Sequence, residues 1–297
     1  MSLKIRCVAP VGDRCGEGAV WSAAEKAVYW TDINRFLVHR YDEASASVRS
    51  WLFGEPVVGL SLTTDPARMA VLLASRLIWW WPATDRRQDH GFRLPGYPGV
   101  RLNDGRADPA GNLWIGTMKN NVLPDGEIGE TAPGLGLLYR IAPDGGVSEW
   151  CRDLGIANTV AWSPDRATFY FGDTMQNCVW AFDYDAADGT IARRRPYFAG
   201  YERGLPDGSA VDSAGTLWNC RFGGGCIARV GAGGRLIDAV DLPVPNVTTC
   251  VFGGDDLKTL YVTSASIVSP PGYRLAGSLF ALRVEVPGLP ENRVMVA

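Results

Sequence analysis

Histidine is almost absent from this chain: His39 and His90 are the only two in 297 residues. A His-rich zinc centre and a Ser-His-Asp triad are therefore poorly supplied. Paired cysteines are missing as well. Cys7, Cys15, Cys151, Cys178, Cys220, Cys226 and Cys250 are odd in number and include no CxxC. That pattern fits free thiols in a reducing cytoplasm better than a disulfide framework or a zinc ribbon. Long apolar runs are lacking: stretches such as Leu77–Trp81 are far too short to span a bilayer. No apolar stretch precedes a small-residue cleavage site near the N-terminus, so a cytoplasmic protein without a membrane partner is expected. Excess positive charge is missing too. The net charge is −3, and Arg193-Arg194-Arg195 reads as a solvated strand edge, which argues against a nucleic-acid surface. Gly223-Gly224-Gly225 lacks the following Lys-Ser/Thr of a phosphate loop and reads as a tight bend. No long stretch carries a helical period of apolar residues.

What the chain does have is a repeat. Turn residues at Ser22, Asp65, Asp108, Ser163, Asp212 and Gly254 are each followed six places later by a bulky residue: Val28, Val71, Trp114, Phe169, Trp218 and Leu260. Periods of about 40–50 residues with four strands per unit mark a β-propeller. The first unit reads as four strands: Glu17–Trp21, Ala27–Ile33, Phe36–Tyr41 and Ser47–Phe53. Six such units fill the chain, predicting one all-β domain over 1–297, a six-bladed propeller. The strand Lys4–Ala9 is left over at the N-terminus; it is expected to join the last blade and close the ring, removing open sheet edges.

Five places before the turn residues stand Glu17, Leu60, Asn103, Asn158, Asp207 and Thr249. Asn or Asp before a strand often makes only local turn bonds. Two carboxylates and two carboxamides in one register of four repeats point instead to a shared site at one mouth of the central channel. Glu17, Asn158 and Asp207 offer hard oxygen donors, which suit Ca²⁺, Mg²⁺ or Mn²⁺ and accept Zn²⁺ or Fe²⁺ less selectively. Three protein donors leave positions open for water and substrate. Arg101 stands two residues before Asn103, so both side chains should reach the same cavity. There Arg101 would either donate to a substrate or pair with a neighbouring carboxylate. The insertion 119–134 follows the inner strands of the Asn103 repeat and is expected to cover the site.

These residues carry a resemblance. Cys15-Gly16-Glu17-Gly18 with Val20-Trp21, Arg101-Leu102-Asn103-Asp104-Gly105 with Asp108-Pro109-Ala110-Gly111, and Gly116-Thr117-Met118 resemble the regucalcin, or senescence marker protein 30, family. That family includes gluconolactonases and bacterial sugar lactonases. Asn158, Phe182-Asp183-Tyr184-Asp185, Pro206-Asp207-Gly208, Phe252-Gly253-Gly254 and Tyr261-Val262-Thr263 extend the likeness over nearly the whole chain.

The resemblance implies one divalent ion held by Glu17, Asn158 and Asp207, substrate contacts from Arg101 and Asn103, and a general-base role for Asp207. Animal members carry Glu at the position of Asn121, where it contacts sugar; Asn121 keeps a hydrogen-bonding group but loses a charge. Thr159 stands where the family usually has Gly, a departure of the backbone that leaves the ligand side chain in place. The implied reaction is hydrolysis of a sugar lactone to its aldonic acid. Cleavage of organophosphates or aryl lactones on the same scaffold, and a non-catalytic calcium-binding propeller, stay open at this level. So do the sugar, the ring size and the identity of the metal; a monomer is compatible with the chain.

Overall fold

The computed structural model describes residues 4–296. Its strands form six four-stranded antiparallel sheets. Their inner strands are Gly16–Ser22, Val57–Leu62, Val100–Ala107, Ala157–Trp162, Leu205–Val211 and Val247–Gly253. Each inner strand packs against the next, and the last against the first, so the sheets are six blades around an axis. The N-terminal strand Ile5–Ala9 pairs antiparallel with Leu279–Arg283 and completes the sixth blade. Joining the two ends of the chain in one sheet closes the ring, as the leftover strand predicts.

The repeat has a physical basis. The Asp108 carboxylate accepts the Trp114 indole N–H at 2.8 Å and the backbone N–H groups of Ala110 and Asn112. Asp212 repeats the arrangement with Trp218 at 2.9 Å and with Ala214 and Thr216. One carboxylate thus shapes the turn and satisfies a buried indole six residues on. Trp114 and Trp218 are fully buried between blades. Filling each wedge with such side chains, on the order of 2–3 kcal/mol apiece for full burial, holds neighbouring blades together.

A second regularity lies in the inner strands. Register shifts fall between Glu17 and Val20, Leu102 and Gly105, Asn158 and Ala161, and Pro206 and Ser209. A bulge leaves a residue out of the ladder and re-aims its side chain. In five blades the break falls on or directly beside the register position: Asn103, Asp207 and Thr249 lie within it, and Glu17 and Asn158 are the last paired residues before it. Leu60 instead joins the apolar core, and Thr249 is buried against Gly208.

The turn end of the channel is crossed by the C-terminal segment. Gly288 bridges to Asp212, Val294 bridges to Thr63, and Glu291 stands 3.7 Å from Arg106. Among the described residues no helix is long and apolar enough to cross a membrane. All seven cysteines are free thiols.

Candidate active site

Glu17, Arg101, Asn103, Asn121, Asn158 and Asp207, the six residues singled out from the sequence, line one cavity of about 180 Å³. All but Asn121 are buried. Close approach of the blades makes this possible. Gly18 has φ of 57°, and a Cβ there would stand 2.7 Å from the Gly59 Cα. Gly208 meets the sixth blade: a Cβ would lie 2.1 Å from the Thr249 hydroxyl oxygen.

The carboxyl groups of Glu17 and Asp207 lie within hydrogen-bonding reach of each other. Burial pushes both well above the ordinary carboxylate range. The charge of Asp104 adds to the rise at Glu17, and the charge of Glu17 adds to the rise at Asp207. Two buried carboxylates facing each other cannot both ionise without a compensating cation.

The Asn158 carboxamide is oriented by Thr174. The Thr174 hydroxyl donates its one hydrogen to the Pro206 carbonyl at 2.7 Å. It can therefore only accept from Asn158, whose Nδ2 donates to it at 2.8 Å. The Asn158 oxygen is left on the side of Asn103, whose Nδ2 lies 3.1 Å away and also donates to the Ala157 carbonyl at 2.8 Å. Two carboxylates and one aimed carboxamide oxygen fit an oxygen-only site for a divalent ion. Among the described residues no three His, Cys, Asp or Glu side chains gather as metal donors; the donor set here has only two carboxylates, the third donor being an amide.

Among the described residues Arg101 makes no direct ion pair. Its Nε and Nη2 donate to the Asn121 carboxamide oxygen at 3.1 and 2.9 Å. Its Nη1 donates to the Leu102 carbonyl at 2.9 Å and to the Asn103 oxygen at 2.7 Å. One Nη2 hydrogen remains for the cavity, as does the Asn121 amide NH₂. Burial pushes the guanidinium down to about 10, which leaves it protonated at neutral pH. Asn103 connects Arg101 to Asn158, and both of its polar atoms are already engaged.

The insertion supplies part of the wall. Asn121, Ile128 and Thr131 face the cavity. The segment is tied to the first blade: both Arg14 Nη atoms donate to the Glu127 carboxylate, at 2.7 and 2.6 Å, and Asn34 Nδ2 donates to the Gly126 carbonyl at 2.8 Å. Thr159 has φ of 53°, which explains why glycine suits that position. Its hydroxyl bonds the Asp207 carbonyl and lies 2.9 Å from the Ser209 hydroxyl. Sequence reasoning missed Thr174, Asp104 and the cavity's apolar rim. Thr174 lies outside the repeat register, and strict alternation would turn Asp104 away from its neighbour Asn103.

Residues 15–266 match the family model described as the SMP-30/Gluconolactonase/LRE-like region. The pentonolactonase XacC of Haloferax volcanii is 34% identical, with 94% of each chain covered. The 6-deoxy-6-sulfogluconolactonase of Pseudomonas putida is 33% identical, with 98% of each chain covered. The solved structure of the calcium-binding protein regucalcin from Agrobacterium tumefaciens superposes with a TM-score of 0.90 at 29% identity, covering 99% of this chain and 98% of that one. The chain belongs to the SMP-30/gluconolactonase/LRE-like family.

Proposed function

We propose that this protein is a divalent-metal-dependent lactonase that hydrolyses a sugar lactone to the open aldonic acid in carbohydrate breakdown. The observation that carries the reading is the buried pair Glu17–Asp207 facing the fixed guanidinium of Arg101 across one small cavity. Relatives named as lactonases support it.

Glu17, Asp207 and the Asn158 oxygen would hold the ion. When bound, a divalent cation supplies Lewis acidity for an ester carbonyl and charge compensation for the carboxylate pair. Asp207, ionised in that pairing, accepts a proton from the attacking water. The water oxygen bonds the lactone carbonyl carbon, and the bond from that carbon to the ring oxygen breaks. The proton taken by Asp207 passes to the ring oxygen, which leaves as the new hydroxyl. Arg101 offers its remaining Nη2 hydrogen to the oxygen that gains negative charge, and its four existing bonds fix the donor beforehand. Asn121 presents its NH₂ to a ring hydroxyl. Asn103 keeps the Arg101 and Asn158 side chains in register.

The test is lactone hydrolysis followed by proton release. Metal-stripped protein receives single divalent ions, with pentono- and hexono-lactones of both ring sizes as substrates. Ion-restored turnover of a sugar lactone is the expected result. No rate above spontaneous opening, from folded protein loaded with each ion in turn, overturns the reading.

A further inference from the structure

The cavity is polar at its floor and apolar at its rim. Glu17, Arg101, Asn103, Asn158 and Asp207 form the buried floor. Ile128 and Val268, 43% and 62% exposed, stand at the rim, with half-buried Ile156, Phe222 and Ile267 beside them. Thr131 adds one hydroxyl on the loop side; Asn34 commits its amide to the Gly126 carbonyl. Among the described lining residues Arg101 is the one cation, and it lies on the floor.

Val268 stands there against its own backbone preference. Ser269 N–H donates to the Ser266 carbonyl at 3.1 Å, so Val268 is the third residue of a hydrogen-bonded turn. Its φ is 53°. Gly or Asn is the unstrained choice at such a position, and a β-branched residue is an outlier. The surroundings hold the turn in place. Ser266 N–H donates to the Asp13 carbonyl and Ile267 N–H to the Arg14 carbonyl, at 3.0 and 2.9 Å. Asn246 Nδ2 reaches the Ile267 carbonyl and the Ser269 hydroxyl, both at 3.0 Å. The exposed Val268 side chain fills no core and stands at the cavity mouth.

With the reacting carbonyl at the polar floor, as the lactonase reading requires, the exocyclic end of a substrate would lie toward Ile128, Ile267 and Val268. An anionic end would meet no counter-charge among the rim side chains. We propose that this rim is a subsite for an apolar exocyclic group, so that the preferred substrates are 6-deoxyhexono-lactones, ending in methyl rather than hydroxymethyl. This inference rests on the lactonase reading.

Matched pairs of a hexono-lactone and its 6-deoxy form, in gluco and galacto configurations, test it with ion-loaded protein. The 6-deoxy member should have the higher kcat/KM, by about threefold to tenfold, less than an enclosed apolar pocket gives because the rim is partly exposed. Val268→Asn relieves the strained turn and places an amide at the rim. Its melting temperature should be unchanged or raised, and the ratio within each pair should fall toward one. Equal turnover within the pairs by the unaltered protein overturns the subsite and leaves the lactonase reading standing. A ratio unmoved by Val268→Asn overturns the assignment to Val268. No turnover of any lactone overturns the lactonase reading and the subsite with it.

Discussion

The Thr159 hydroxyl donates to the backbone carbonyl of Asp207, joining the inner strands of the fourth and fifth blades beside the carboxylate pair. Asn219 Nδ2 reaches the same hydroxyl at 3.2 Å and the Ser209 hydroxyl at 2.9 Å, so the contact belongs to a buried network. The bond is made by a residue with φ of 53°, where glycine would be unstrained. Two opposing effects meet at this residue. Thr159→Gly loses a hydrogen bond and relieves backbone strain, so stability should stay within about 1 kcal/mol of the parent. Thr159→Val keeps the strain and loses the donor, and should cost about 1–3 kcal/mol. Denaturant unfolding of both variants decides; a glycine variant weaker than the valine variant contradicts this account.

Replacing one member of the carboxylate pair separates binding from folding. Asp207→Asn removes half of a repulsive buried pair and keeps the shape of the side chain. The ion-free variant should melt no lower than the ion-free parent. The thermal shift produced by added Ca²⁺ or Mn²⁺ should disappear, and lactone turnover should fall by more than about a hundredfold. Glu17→Gln should behave alike. Ion-dependent stabilisation surviving in both variants would remove these side chains from the site.

The same pair dictates a pH dependence. Burial raises the Glu17 carboxyl to about 8, and the Asp207 carboxyl is raised as well. A carboxyl raised on folding holds its proton more tightly in the folded chain. Its contribution to stability is therefore complete below the ordinary carboxylate pKa and is lost as pH rises through the raised value. Cation binding has the opposite slope, because the donors must be ionised. The ion-free protein should lose stability between mildly acidic pH and about pH 8, the value for Glu17, while stabilisation by added cation grows over the same window. Calorimetric titration in buffers of different ionisation enthalpy should show proton release on binding. Affinity independent of pH would mean the pair is already ionised.

The propeller was legible because each turn is followed six residues on by a bulky apolar residue, and in two of the six turns a carboxylate accepts from an indole there, Asp108–Trp114 and Asp212–Trp218. The site was legible for a related reason. Symmetry around an axis converts a shared register into a shared place, and Glu17, Asn103, Asn158 and Asp207 occupy it. The break in pairing over Asn103 and Asp104 leaves no trace in the pattern of apolar residues, which is why Asp104 went unseen. Thr174 and Val268 lie in connections, whose contacts depend on how each loop folds back.

Thr174 yields a prediction that spacing could not. It would act on the proposed ion site only by fixing the Asn158 amide, and its hydroxyl meets the Pro206 carbonyl. Thr174→Val frees the amide to turn, and cation affinity should fall about 10- to 100-fold. Thr174→Ser restores the hydroxyl and should recover most of that loss. A purely structural role would lower the melting temperature of the ion-free protein without a selective change in affinity. Titration and melting of the two variants separate these outcomes.

Gly126 offers a test of the wall formed by the 119–134 insertion. Its φ is 80°, and a Cβ there would lie 2.2 Å from the Asn34 carbonyl oxygen. Gly126→Ala must therefore push the insertion off the first blade and break the Asn34–Gly126 contact. The exposed Arg14–Glu127 pair is too weak to hold it, being worth about 1 kcal/mol or less. Most of the insertion's lining contribution comes from Asn121, Ile128 and Thr131, so its displacement should raise KM for a lactone severalfold. The melting temperature should change little, because the blades are untouched. Limited proteolysis should cut the variant within 120–135 faster than the parent, and saturating lactone should slow the cut in the parent alone. A variant with unchanged KM and unchanged cleavage would show that the insertion closes nothing.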